Sequence, residues 1–162
     1  SVKSGLRAKE ISQLSWREVL NSEGTIDTHI NLTNQSSKGN SGRCIPLHKL
    51  VRRNLAEMYE YQSMFRYFDP QKSFVIRTER SPFTTSQTIV NMFQKWYSTL
   101  GLIGCSSHSG RRTFITETAK KISLVGGSLR DIQMMAGHSS LQTTQRYIDA
   151  DSEAQAKVVN LL

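Results

Sequence analysis

Apolar positions along this chain change period several times, and each change marks an element. Leu6, Ile11 and Leu14 fall near helical spacing, which predicts a short helix within residues 6–16. Residues 25–33 (TIDTHINLT) alternate instead and are rich in β-branched types, so they predict a strand. A polar turn over 34–42 (NQSSKGNSG) leads to a second strand at 43–47 (RCIPL), forming a hairpin with Lys38 near its tip. Pro46 ends that strand or puts it at an edge, because proline has no N–H to give a ladder. Leu47, Val51, Leu55, Met58 and Phe65 make the apolar stripe of a helix over about 48–65. Asp69-Pro70 breaks the chain, and Ser73–Arg77 (SFVIR) predicts a third strand. Ile89, Phe93, Trp96, Tyr97 and Leu100 stripe a helix over 84–100, ended by Gly101 and Gly104. From Ser107 the pattern is all helical. One helix covers about 108–123 and ends at Gly126-Gly127; the next covers 129–136, with Ser128 as its N-cap and Gly137 as its end. Ser139 and Gln142 have capping-box spacing for a last short helix through Tyr147. The sum is an α+β domain, mostly helical, with a small three-stranded antiparallel sheet in its N-terminal part.

Composition narrows the class. The 162 residues fit one domain, and 37% hydrophobic with 21% charged residues makes it globular rather than disordered. No apolar run approaches the ~20 residues of a membrane span, and the N-terminus lacks the apolar stretch of a signal peptide. Cys44 and Cys105 have no metal-ligand spacing, which fits a reduced, cytoplasmic protein in which both pack as small apolar groups. The net charge of +8 fits ordinary solubility, and it equally fits a polyanionic partner whose counterions Lys and Arg displace. Charge alone does not choose between these.

Six scattered residues carry the candidate chemistry: Arg7, Lys38, His108, Arg111, His138 and Tyr147. Five of them can bind a phosphate, and the tyrosine offers a nucleophile. His108 and Arg111 stand three apart on a helix, so both side chains reach one face; a short H-x-x-R also fits a solvated basic pair, Arg111-Arg112, behind a helix-start histidine. Arg7 and Glu10 share that spacing. They read either as a surface ion pair of little worth or as a phosphate-binding guanidinium held in place by a carboxylate. Lys38 reads as a solvated turn residue or as a mobile cation whose mobility Gly39 and Gly42, just after it, would supply. His138 follows Gly137 at a helix junction, where histidine is often a structural hydrogen-bonder; the glycine would also let a phosphate approach the backbone. An unassisted phenol, with a pKa near ~10, is ionised to about one part in a thousand at neutral pH, so using Tyr147 as a nucleophile costs roughly 4 kcal/mol unless a base or nearby cations help. Cations and a hydroxyl, with no carboxylate cluster and no P-loop, suit phosphoryl transfer that uses neither metal nor ATP.

Taken in order, these residues bring the chain to a known family. GLRAKE at 5–10, Lys38 in a hairpin, HSGR at 108–111, AGH at 136–138 and Tyr147 nine residues later resemble the motifs of the tyrosine site-specific recombinases, the phage integrase family. The resemblance covers residues 5–147, and five short motifs in order are far more specific than any one of them. Ala136 stands where leucine is common and Gly110 where a larger apolar residue is common; both are packing positions. The resemblance implies a catalytic domain over 1–150 that binds a double-stranded recombination site. Arg7, Arg111 and His138 hold the scissile phosphate, with Glu10 supporting Arg7. His108 acts as an acid or base near the phenol, Lys38 protonates the leaving 5′ oxygen, and Tyr147 forms a 3′-phosphotyrosine link to DNA. No cofactor or metal is expected. It further implies a monomer when isolated, a tetramer on DNA, DNA-bending accessory proteins, and the service of a phage, an island, a plasmid or a chromosome. Residues 151–162 end in Val158, Val159, Leu161 and Leu162; they read as a tail that folds back on its own domain or docks on a neighbouring protomer. An N-terminal DNA-clamping domain, as in full-length members, is expected to be absent from this chain.

Two alternatives remain at this level. A type IB topoisomerase-like enzyme would use similar chemistry to nick and reseal one strand. A non-catalytic basic DNA-binding module would use 108–147 as a helix-turn-helix array, leaving Arg7, Lys38 and Tyr147 without a shared purpose.

Overall fold

A computed structural model describes residues 1–37, 39, 41–79, 81–147 and 159–160. Lys38 and, apart from Val159 and Asn160, the tail expected over 151–162 lie outside the described residues. Six helices are described: α1 (Ala8–Gln13), α2 (Lys49–Ser63), α3 (Ser86–Thr99), α4 (Ser109–Ile122), α5 (Leu129–Ala136) and α6 (Leu141–Gln145). Two strands, β1 (His29–Leu32) and β2 (Arg43–Pro46), form one antiparallel hairpin, with Ile30 opposite Ile45 and Leu32 opposite Arg43. Among the described residues no helix is long and apolar enough to cross a membrane.

The expected third strand is not part of that sheet. Trp16 N–H donates to Ser73 O (3.1 Å) and Val75 N–H to Leu14 O (2.8 Å), so the backbone of 73–75 is spent on the segment after α1. The Gln62 amide donates to Val75 O (2.8 Å) and accepts from the Trp16 indole N–H (3.0 Å), pinning the same segment to α2. A short run of apolar residues such as Phe74, Val75 and Ile76 signals a buried segment; it does not say which neighbour it pairs with. The cap of α6 also differs by one residue: Ser140, not Ser139, accepts from the Gln142 N–H. Ser128 does begin α5, where its N–H and hydroxyl both donate to the Asp131 carboxylate.

Apolar burial falls into two clusters. The first joins Leu6, Leu14, Trp16, Ile30, Ile45, Leu55 and Val75 from α1, the hairpin and α2. Trp16 is its centre, wholly buried and edge-on to Tyr59 and Phe68. The second is smaller and joins Ile115 on α4 to Ile132 and Ala136 on α5, with Phe114 and Tyr147 packed against it. Arg7, Glu10, Arg111 and His138 lie along the seam between the two.

The base of the hairpin loop is tied down by a buried acid. The Glu18 carboxylate accepts from the N–H and hydroxyl of Ser15 (3.0 and 2.9 Å) and of Thr33 (2.8 and 2.9 Å). Burial alone would raise its pKa, but the bonds from Ser15, Ser36 and Thr33 outweigh this and hold it below the usual carboxylate value. Glu18→Ala strands these donors, and unsatisfied partners of a buried charge cost upwards of ~1–3 kcal/mol. The expected result in urea unfolding is a loss of about 3 kcal/mol with little change in the denaturant slope; a loss below about 0.5 kcal/mol would count against this anchoring role.

Candidate active site

Helix α1 starts at Arg7, a residue that cannot cap a helix with its own side chain. Glu10 does it instead: its carboxylate reaches back to accept from the Arg7 main-chain N–H (2.8 Å) and also from Arg7 Nη1 (2.9 Å). The same carboxylate takes both nitrogens of the Arg43 fork, Nη1 at 2.9 Å and Nη2 at 3.0 Å. Glu10 is wholly buried and the Arg43 side chain is only 7% exposed. Burial works to raise the Glu10 carboxyl; the hydrogen bond and charge of Arg43, then those of Arg7, more than reverse it and leave it below the ordinary value. This is no surface ion pair of little worth. It is a buried carboxylate shared by two arginines.

The opposite wall is the carboxyl end of α5. Gly137 closes that helix in the left-handed conformation (φ 63°). A Cβ at Gly137 would lie 2.8 Å from Arg43 Nη1, so the glycine serves both the turn and the guanidinium beside it. Three successive carbonyls there each accept from a different arginine. Arg43 Nε donates to Met135 O (2.8 Å), Arg111 Nη2 to Ala136 O, and Arg7 Nη2 to Gly137 O (3.4 Å). Cations suit this end, where the helix dipole is negative and the last carbonyls lack helical partners. Arg111, from α4, also donates to Gly5 O (2.6 Å), so it crosses the seam with only 3% of its surface exposed. Gly5 has φ 66°, and a Cβ there would meet the Phe114 ring at 2.5 Å. Burial, then the charge of Arg7, pulls Arg111 down to about 10, which leaves it protonated at neutral pH.

Next in the chain comes His138, held by Gln133: its N–H donates to Gln133 O (3.1 Å), and the Gln133 amide donates to His138 O (2.9 Å). Its Nδ1 pairs with the hydroxyl of Thr144 on α6 at 2.9 Å. Burial, then the charges of Arg111, Arg7 and Arg43, pushes the imidazole down to about 4, so it is neutral at physiological pH. The Tyr147 ring stacks beside it, with centroids 5.6 Å apart and planes 13° from parallel. A cleft of about 850 Å³ opens here, lined by Arg7, Gly42, Arg43, Gln133, Gly137 and His138. Tyr147 faces an adjoining hollow with Arg112 and Arg146.

Of the six residues singled out in the sequence, Arg7, Arg111, His138 and Tyr147 gather here, with Glu10 beneath them. His108 is the N-cap of α4 and is exposed; among the described residues no hydrogen bond joins its ring to the others. Lys38 is outside the described residues. Arg43 and Thr144 were not singled out. A signal existed for Arg43: on a strand it shares a face with Ile45, two residues on, so a cation was being sent to the core side.

Comparisons with known proteins identify the family and the fold. Residues 1–154 match the model of the phage integrase family. The chain is 34% identical over 156 residues to tyrosine recombinase XerC of Bradyrhizobium diazoefficiens, covering 96% of this chain and 45% of that protein. It is 32% identical over 151 residues to XerC of Nitrobacter winogradskyi, covering 93% of this chain and 43% of that protein. The chain thus spans about half the length of the curated relatives it matches. Its fold is shared with the crystal structure of XerA recombinase (TM-score 0.77, 20% identity, 99% of this chain and 54% of that one). It is shared too with XerH recombinase in a post-cleavage complex with a palindromic difH substrate (TM-score 0.73, 19% identity, 98% and 42%).

Two outcomes follow from the geometry. Arg43→Met removes one partner of a buried ion pair, which typically costs about 3–5 kcal/mol, measured as the unfolding free energy in urea. The second concerns pH. The folded value of His138, about 4, lies below the ~6.5 of an unfolded histidine. The unfolded chain therefore takes up the proton first, so stability is full above about 6.5 and falls as pH drops toward 4. Unfolding measured between these limits should show that slope, and His138→Gln should flatten it. The contributions of Glu10 and Glu18 are full above about 4.3 and fade only below it, so they do not imitate the effect.

Proposed function

The chain belongs to the phage integrase family, and on that premise we propose that it cuts and rejoins DNA at a recombination site through a covalent 3′-phosphotyrosine link. The observation that carries the reading is the convergence of Arg7 and Arg111 on successive carbonyls beside His138, with the Tyr147 ring stacked against it. Arg7 and Arg111 take the non-bridging oxygens of the scissile phosphate and stabilise the charge of the pentacoordinate transition state. His138, neutral, gives that phosphate a further hydrogen bond. The Tyr147 oxygen attacks phosphorus while the bond to the 5′ oxygen breaks. Its proton passes toward His108, and Lys38 protonates the leaving oxygen. One phosphoester replaces another, so the step is close to thermoneutral, and attack by a partner strand's 5′-hydroxyl reverses it.

Binding is to double-stranded DNA in the cytoplasm, as a tetramer on the site. DNA-bending proteins assist. The net charge of +8 and the DNA complexes among the structural neighbours support a DNA substrate. Recombination is favoured over a nicking-closing activity because the relatives named are recombinases.

A nicked suicide substrate carrying the cognate site should trap a covalent protein–DNA adduct, visible as a slow band on a denaturing gel. Tyr147→Phe should abolish it; an adduct that persists removes Tyr147 as nucleophile. Arg111→Ala should slow adduct formation ~10²–10³-fold, as loss of a transition-state donor does. Lys38→Ala should bind DNA normally yet cleave slowly, and recover when sulfur replaces the bridging 5′ oxygen. No recovery would assign the proton to another group. Exchange between two cognate duplexes separates recombination from simple resealing.

A further inference from the structure

His138 faces its neighbours with one ring nitrogen engaged and the other without a protein partner among the described residues. Which nitrogen holds the hydrogen decides what the ring can do in the cleft it lines. A neutral imidazole carries one hydrogen: with it on Nε2, the ring donates to a phosphate oxygen; with it on Nδ1, Nε2 turns a lone pair toward that oxygen and repels it.

Thr144 settles the choice by hydrogen counting. Its hydroxyl is wholly buried, and its one partner among the described residues is His138 Nδ1 at 2.9 Å. Helical threonines commonly return the hydroxyl hydrogen to the carbonyl four residues back. Thr99, Thr113 and Thr118 do so here, at 2.9, 3.1 and 2.7 Å. Thr144 sits within α6 and does not. If Nδ1 held the hydrogen, Thr144 would accept it and its own hydroxyl hydrogen would be buried with no acceptor, a rare state in folded proteins. If the hydroxyl donates, no buried hydroxyl hydrogen is left without an acceptor.

We infer that Thr144 is a positioning residue for His138: its hydroxyl donates to Nδ1, fixes the hydrogen on Nε2 and turns that N–H into the phosphate donor of the cleft. The catalytic half of this rests on the reading of His138 as a phosphate ligand; the tautomer half does not. The ring needs such a device because burial and three arginines keep it neutral, and only a neutral imidazole has two tautomers.

The test uses the chain with isotope-labelled histidine. Nitrogen and carbon NMR shifts at neutral pH report the His138 tautomer without DNA, and adduct formation on the suicide substrate reports function. The wild type should show the hydrogen on Nε2 alone. Thr144→Val, nearly the same shape without the hydroxyl, should show mixed tautomers and slow adduct formation about tenfold, as loss of a group that orients a ligand histidine does. Thr144→Ser should restore both. A hydrogen on Nδ1 in the wild type, or a tautomer unchanged in Thr144→Val, overturns the inference, as does a rate that falls in both variants alike. Should Thr144→Val fail to fold, the wild-type tautomer and the serine variant still decide it. Failure of the wider reading looks different: no adduct in the wild type, or one that survives Tyr147→Phe, while the NMR result stands.

Discussion

Glu10 is the group on which the rest of the site depends. Three guanidinium groups from α1, β2 and α4 meet at the end of α5, and like charges do not gather in a buried place unaided. One buried carboxylate accepts from two of them and caps α1 at the same time. It offsets one of the three positive charges and leaves the cluster with a net charge of about two. The contact also settles geometry. Arg43 uses its fork on Glu10 and its Nε on Met135 O, and so cannot swing into the cleft. Arg7 is bound more loosely, at 3.4 Å to Gly137 O, with 21% of its side chain exposed. The two arginines on one acid therefore do different work, one as a strut and one as a hand held open.

The same bonds join the two apolar clusters. The second cluster has few buried members and would be marginal by itself. Arg111 ties it to Gly5 in the first, Arg43 ties β2 to α5, and Arg7 ties α1 to the turn after α5. Substitutions at these arginines alter folded-state cohesion as well as chemistry, so rates for such variants mean little until the folded fraction is known.

Much of this was readable from the sequence, and the rest failed for identifiable reasons. The helices were legible because their apolar stripes repeat over several turns, and Gly126 and Gly137 stop them where a left-handed residue is needed. The motif residues Arg7, Arg111, His138 and Tyr147 were legible as a set because order and spacing survive when identity falls. What could not be read was pairing at a distance. Ser73–Arg77 is buried at Val75 but forms only an isolated bridge, from Phe74 to Ser15, and its partner proved to be the turn after α1. Arg43 and Thr144 belong to no short motif; their importance comes from what lies 33 residues away from one and six from the other. Glu10 was seen as the partner of Arg7, but its second and tighter arginine was invisible from local spacing.

The three arginines at the end of α5 hold main-chain oxygens, not side chains. A carbonyl is the one group that no point mutation removes. Side chains at 135 and 136 could change only within the limits of the second apolar cluster, which buries Ala136, but any such change leaves the acceptor oxygens in place. Only the glycine that follows is pinned, by its handedness and by the guanidinium beside it. The anchorage of the three arginines is thus written into the backbone of α5 and of the turn after it, and not into the side chains there.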